Sequence, residues 1–255
     1  MECKFCNTRF ASKQSLQRHN YRKHRHQTTD IRKPPMERPE NPAKIMKMEL
    51  LPLLRKGPKF DERFKHPFTC IVTGPTKAGK TEFVKKFVVN VEKMMTEKPK
   101  VIYWCYTEWQ PTYQDIPANF VNAEQLQTLD LKNPEPKLVI LDDMMKEGGT
   151  FTDLFTKGSH HWNMSLIHIT QDLFYDRRRT NRMNTQYLVM MKNPGDKLTP
   201  SIIARQMGNA TKFMKAYNAA TVRPHGYLLV DMAQNTPDLY RLRTNIFPDR
   251  LTIFY

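Results

Sequence analysis

Residues 74–81 read GPTKAGKT, an unbroken G-x-x-x-x-G-K-[ST] phosphate loop. Gly74 and Gly79 permit backbone torsions that a side chain opposes, so the loop's N–H groups can converge on phosphate oxygens. Pro75, Thr76, Lys77 and Ala78 complete the cradle. Lys80 offers a cation to the β- and γ-phosphates of a nucleoside triphosphate, and the Thr81 hydroxyl can join the shell of a Mg²⁺ ion. A second signal is KLVILDDMM at 137–145, an apolar run that ends in paired acids. Asp142 is placed to hold Mg²⁺ through water, and Asp143 to orient or deprotonate an attacking water. Paired acids can also simply cap a strand, but an upstream phosphate loop favours the metal role. A third signal is SLIHITQ, which ends at Gln171. This residue is either a sensor of the γ-phosphate and the lytic water or an ordinary polar strand end.

A different chemistry stands at the N-terminus. Cys3-x2-Cys6-x12-His19-x4-His24 has the ligand spacing of a two-Cys, two-His zinc finger, with Phe10 and Leu16 at its two core positions. A unit this small buries too little surface to fold alone, so tetrahedral Zn²⁺ binding must supply the folding energy. His26 is spaced too far to be the fourth ligand. Base contacts from such a finger come from the start of its helix, here Ser12, Ser15 and Arg18. One finger reads about three base pairs, which fits a tether to nucleic acid or protein better than a sequence-specific regulator.

These groups need a frame. The loop is flanked by PFTCIVT and by EFVKKFVVNVEKMM, a strand-like run and a helical apolar pattern, so a helix N-terminus would point at the anion. Further β-rich runs lie at 100–106, 137–143, 165–171, 186–192, 226–232 and near 239–247. Several are apolar on consecutive residues, as in strands buried on both faces. Helical patterns cover 81–95, 150–160, 200–208 and 211–220. The alternation predicts an α/β fold with a mainly parallel central sheet, and the NTPD turn predicts a closing antiparallel hairpin. The expected organisation is a ββα zinc finger at 1–26, a basic Pro-containing linker at 27–66 with a short helix near KIMKMELLPLL, and a P-loop domain at 67–255.

The 255 residues carry a net charge of +16, which points to a polyanionic partner, most simply nucleic acid. Residues 1–66 hold 17 of the 41 Lys and Arg and 7 of the 25 Asp and Glu, a net of +10. The four cysteines suggest no disulfide framework, and no signal-peptide core or membrane-length apolar run is present. The expectation is an intracellular, nuclear protein without a membrane segment. The candidate arginines for action in trans on a neighbouring active site are Arg177, Arg178, Arg179, Arg205, Arg241 and Arg243. Arg205 is favoured as such a finger, and 177–182 as a DNA-facing or solvated loop.

From Leu51 onward the chain resembles the FtsK/HerA-type DNA-packaging ATPases, nearest to those of Polinton (Maverick) transposable elements and related eukaryotic DNA viruses. The resembling stretches are FKHPFTCIVTGPTKAGKTEFVKKF, LVILDDMM, LFTKGSHHWNMSLIHITQDLF, YLVMMKNPGDK, IARQMG and GYLLVDMAQNTPDLYRLRTNIFP. The resemblance implies an ASCE-type P-loop fold whose acid strand is not directly beside the phosphate-loop strand. It also implies a homo-oligomeric ring that hydrolyses ATP to drive double-stranded DNA into a capsid, bringing capsid proteins in as partners. It assigns Lys80 and Thr81 to nucleotide and Mg²⁺, Asp142 to Mg²⁺, Asp143 to water activation and Gln171 to sensing. Lys77 and Ala78 stand where the family pattern has a glycine and a small residue or cysteine. The segment 175–184 is more basic than the pattern, and the finger lies outside it. The alternative reading is a non-enzymatic zinc-finger DNA-binding protein with an inactive or regulatory nucleotide domain, as in a domesticated host copy. A small-molecule kinase is disfavoured by the paired acids, the glutamine and the basic charge.

Overall fold

The computed structural model describes residues 2–3, 6–12, 14–16, 18–19, 60–144, 154, 158, 161–174 and 184–255. The expectations for His24, for the linker before residue 60, for most of the helix at 150–160 and for Arg177–Arg179 lie outside the described residues. The chain divides into two compact units, Met1–Lys59 and Phe60–Tyr255. The second unit therefore starts seven residues earlier than the expected boundary at 67. The reason is Phe64, which is buried among Phe68, Phe87 and Tyr187 and joins the backbone of Met94 and Thr96.

The large unit is built on one nine-stranded sheet. Its strands are β1 (Thr69–Thr73), β2 (Val101–Tyr106), β3 (Asn119–Val121), β4 (Lys137–Asp142), β5 (Met164–Thr170), β6 (Tyr187–Met191), β7 (Tyr227–Asp231), β8 (Leu242–Thr244) and β9 (Ile253–Phe254). The order is β3-β2-β4-β5-β1-β6-β7-β8-β9. The first six strands in that order run parallel, and the last three join antiparallel. The acid-bearing β4 is separated from the loop-bearing β1 by β5, as the ASCE arrangement requires. The expected hairpin is β7–β8, although β9 extends the sheet beyond it.

Among the described residues of the large unit the α-helices are α1 (Lys80–Val89), α2 (Val91–Met94), α3 (Ala123–Thr128), α4 (Leu198–Gln206) and α5 (Ala210–Ala220). The helical pattern at 81–95 is thus two pieces. Asn90 leaves helical torsions at φ −105° and ψ 17°, and its side-chain amide donates to the Lys86 carbonyl, which ends α1.

Alternate residues of the central strands feed opposite layers. Cys70, Val72, Leu138 and Ile140 pack with Phe83, Val84 and Phe87 of α1. Ile71, Val139, Leu141 and Leu188 pack with Ile203, Ala204, Phe213 and Ala216 of α4 and α5. Two covered faces explain why these strands read as continuous apolar runs.

At the end of the sheet opposite the loop, His66 bridges two strands. Asn163 uses its amide on the Pro134 carbonyl (3.0 Å), so its Oδ1 accepts from His66 Nε2–H (3.0 Å). His66 Nδ1 then accepts from the Ser165 hydroxyl (2.6 Å). Burial, the largest influence, holds the His66 pKa below its ordinary 6.5. A lowered histidine contributes stability that is present above 6.5 and lost as pH falls through the folded-state value. The midpoint of thermal unfolding is expected to drop between about pH 7 and pH 5 more steeply for the wild type than for His66→Gln. Equal slopes would exclude His66 as the source.

Candidate active site

The phosphate loop leaves β1 and enters α1 directly, and each of its special residues has a local cause. Gly74 (φ 157°) lies so close to Met191 of β6 that a Cβ would sit 2.7 Å from the Met191 Cβ. Gly79 (φ 95°) caps α1 in a left-handed conformation. Lys77 also lies in the left-handed region, at φ 63°, a conformation that glycine adopts without strain. A non-glycine residue in that region costs about 1–2 kcal/mol, and a glycine's greater freedom in the unfolded chain returns part of it. Because the Lys77 side chain is exposed, Lys77→Gly is expected to raise stability by about 1 kcal/mol in denaturant unfolding. A loss of stability would mean that the Lys77 side chain makes a contact worth more than the strain.

Lys80 folds back over the loop. Its Nζ donates to the carbonyls of Gly74 (2.8 Å) and Pro75 (3.0 Å), and burial lowers its pKa while Asp143 and Asp142 oppose that shift. Thr81 is the next residue of the same helix turn. A turn before β7 props the loop from outside. His225 (φ 58°) must donate from Nδ1 to the Ala78 carbonyl at 3.1 Å, because a carbonyl only accepts, and its ring packs where a Gly79 Cβ would point.

The paired acids differ in environment. Asp142, the last residue of β4, is 4% exposed, and its Oδ2 accepts from the Tyr113 hydroxyl at 2.9 Å. Burial raises the Asp142 pKa, and the Tyr113 hydrogen bond opposes that rise. The indole N–H of the fully buried Trp104 has no acceptor at full hydrogen-bonding geometry, yet its dipole also favours the Asp142 carboxylate. Asp143 is exposed and left-handed (φ 54°), a conformation that Asp tolerates. Its N–H donates to the Ile169 carbonyl of β5 (3.3 Å), which turns the side chain toward the neighbouring strand end.

Gln171 follows β5 and bridges to both partners. Its Nε2 lies 3.4 Å from Asp143 Oδ2, and its Oε1 accepts from the Thr76 hydroxyl at 3.3 Å. Loop, acid and glutamine therefore meet at the C-terminal ends of β1, β4 and β5. A cavity of about 320 Å³ opens beside them, lined by Gly74, Gln171, Phe174, Met191, Thr199 and Tyr217.

Sequence reasoning missed Tyr113 and His225, and it placed Thr76 in the loop cradle without its hydrogen bond to Gln171. Thr76 sits at a free position of the loop motif, and nothing in its type marks it. Tyr113 lies in the aromatic stretch YWCYTEWQPTY, which was a signal available without the fold. Among the arginines, Arg243 is a structural group. Its side chain is 1% exposed and pairs with Asp231 at 2.7 Å, so it cannot reach a neighbouring site. Arg241 donates to Asp238 and to the carbonyls of Asp231 and Ala233. Arg205 is exposed in the last turn of α4, and no nucleotide-site residue hydrogen-bonds its side chain among the described residues.

In the small unit, Cys3, Cys6 and His19 bring three ligand atoms within 4.8 Å of one another. Cys3 is buried, and Cys6 Sγ lies 3.1 Å from His19 Nε2. An antiparallel bridge between Glu2 and Arg9 and a left-handed Asn7 (φ 55°) form the knuckle that carries the two cysteines. Ser12 accepts from the Ser15 N–H and starts the short helix that presents His19. Phe10 packs on the His19 ring at 4.7 Å. Two sulfurs and one imidazole nitrogen suit Zn²⁺. Arg18 is exposed on this helix.

No helix among the described residues is long and apolar enough to cross a membrane. No protein-family model matches the chain, and no curated protein matches it significantly. Among solved structures, it is similar to the genome-packaging NTPase B204 of Sulfolobus turreted icosahedral virus 2 in complex with AMPPCP. The identity is 15% over 67% of this chain and 95% of that one, with a TM-score of 0.47. It is also similar to the cytoplasmic domain of the Type VII secretion ATPase EccC from Thermomonospora curvata, with 13% identity over 66% of this chain and 24% of that one and a TM-score of 0.44. A third similar structure is the N-terminal domain of zonular occludens toxin from Neisseria meningitidis, with 14% identity over 49% and 76% of the two chains and a TM-score of 0.36. With a phosphate loop after β1 and β5 standing between β1 and the acid-bearing β4, Phe60–Tyr255 has the P-loop NTPase fold of the ASCE type.

Proposed function

We propose that this protein is a DNA-translocating ATPase that works as a homo-oligomeric ring, with its zinc finger as a tether to double-stranded DNA. The observation that carries the reading is the line from Thr76 through Gln171 to Asp143 beside Lys80. It joins a phosphate-binding loop to a base and to a polar sensor, and a simple nucleotide-binding module needs neither of the last two.

The N–H groups of loop 74–81 and Lys80 bind the ATP phosphates, for which Lys80 must exchange its Gly74 and Pro75 carbonyls for phosphate oxygens. Thr81 and Asp142 hold Mg²⁺, whose charge neutralises the β- and γ-oxygens when it is bound. Asp143 accepts the proton of a water that Gln171 orients. The water oxygen bonds to the γ-phosphorus as the bond to ADP breaks. Arg205 is the group this chain would offer to a neighbouring copy. Cys3, Cys6 and His19, with His24 as the fourth ligand, hold Zn²⁺, which supplies folding energy to the finger. The basic first quarter adds phosphate contacts. Following the family resemblance, the DNA is delivered to a capsid, and the site of action is the nucleus.

The test is ATP hydrolysis by the purified full chain with and without duplex DNA. DNA should raise turnover, and Lys80→Ala should remove both basal and stimulated activity. Zinc-dependent DNA binding with no turnover in any protein would replace this reading with that of a non-enzymatic binding protein.

A further inference from the structure

Asp142 is nearly buried at the end of β4, and its Oδ2 accepts a hydrogen bond from the Tyr113 hydroxyl. Tyr113 reaches it from a segment that the nucleotide motifs do not include, the loop between β2 and β3. This loop is unusually well anchored. Pro111–Tyr113 form a 3-10 turn closed by the Tyr113 N–H on the Gln110 carbonyl, and Ile116 N–H returns to the Tyr113 carbonyl. The Tyr113 ring is 1% exposed, stacks on Phe120 at 5.5 Å with a 23° interplanar angle, and leans on Trp104 at 5.5 Å. The same loop touches the rest of the site at two more points. Thr107 donates to the Asp143 carbonyl (3.4 Å), and Lys85 of α1 reaches the Thr112 carbonyl (3.4 Å).

We infer that Tyr113 is a positioning residue for the metal-binding carboxylate: it occupies Oδ2 of Asp142 and so leaves Oδ1 as the oxygen offered to the cation. A carboxylate with both oxygens unrestrained would rotate about its terminal torsion, which is broad and roughly two-fold. A buried hydroxyl whose ring packs among Trp104, Tyr106, Trp109 and Phe120 removes that freedom before the cation arrives. Partners that orient a metal ligand in this way typically contribute about tenfold or more to metal affinity. Tyr113 itself touches neither nucleotide nor cation.

This inference rests on the proposed nucleotide and Mg²⁺ reading of the site. The test titrates Mg²⁺ at a fixed concentration of a fluorescent ATP analogue and follows binding rather than turnover, using the full chain. In Tyr113→Phe the ring packing stays and only the hydroxyl is lost. The Mg²⁺ concentration for half-saturation should rise about tenfold. Analogue affinity in EDTA should stay at the wild-type value, and the thermal midpoint should fall by only a few degrees, as for one lost buried hydrogen bond. In an Asp142→Asn background the same substitution should have no effect. An unchanged Mg²⁺ half-saturation in Tyr113→Phe overturns the inference while leaving the site reading intact. So does a loss of affinity that is equal with and without Mg²⁺. Wild-type binding that ignores Mg²⁺ overturns both. If Tyr113→Phe unfolds, Tyr113→Met, which carries no donor for Oδ2 and adapts its shape to the space, is measured in the same titration and must also shift the half-saturation. An unchanged value there overturns the inference.

Discussion

Asp143→Asn should stop ATP turnover while leaving nucleotide binding intact. The expected loss in kcat is about 10²–10⁴-fold, the usual contribution of a positioned base. The structure makes the substitution a clean probe. Asp143 is exposed, so no buried charge is lost, and Asn tolerates the left-handed φ of 54° as readily as Asp. The backbone N–H bond to Ile169 is indifferent to the side chain, and Gln171 can rotate its amide to meet the new group. Binding should hold or tighten, because one negative charge beside the phosphates is removed. Single-turnover hydrolysis with a direct measurement of nucleotide affinity separates the two effects. Turnover equal to the wild type would remove Asp143 from the chemistry and leave the paired acids as a strand cap.

The largest effect on stability is expected far from this site, at Asp231→Ala. The Asp231–Arg243 pair joins β7 to β8 with side chains 3% and 1% exposed. Arg243 also donates to the Glu62 carbonyl (3.1 Å) and lies over the Phe60 ring at 5.3 Å, so it ties the start of the domain to its last strands. Burial pushes the Arg243 pKa down, and the Asp231 charge is the main opposing influence. Without Asp231 the guanidinium is buried and uncompensated, a change that costs about 3–5 kcal/mol. Asp231→Leu combined with Arg243→Met should recover most of the loss, because the apolar pair carries no desolvation cost. Urea unfolding of the wild type and both variants checks both statements. A loss below about 1 kcal/mol in Asp231→Ala would mean that water reaches Arg243.

Much of this architecture was written locally. The loop octet, the strand runs and the acid pair carry their signals in consecutive residues, and the structure has a strand at each predicted place. Boundaries moved where a side chain intervened, as Asn90 does in the helix after the loop. The segment 60–66 read as linker because it continues the polar, basic stretch from residue 27, yet Phe64 is buried in the core and Arg243 holds the Glu62 carbonyl. Arg241 and Arg243 read as possible trans-acting groups because a sequence does not distinguish a buried arginine from an exposed one.

By itself, then, the sequence determined the phosphate loop, the α/β alternation, the acid pair and the cysteine–histidine spacing. Each depends on residue type at short range, through backbone torsion, strand burial or ligand spacing. The family resemblance implied that the acid strand does not stand directly beside the loop strand; only the tertiary structure decided that β5 stands between them and brings Gln171 within reach of both Thr76 and Asp143. It also decided that Tyr113 holds Asp142 and that His225 props the loop across 147 residues of chain. Those pairings are set by how layers pack around a shared sheet, and the spacing of the residues along the chain carries no record of them.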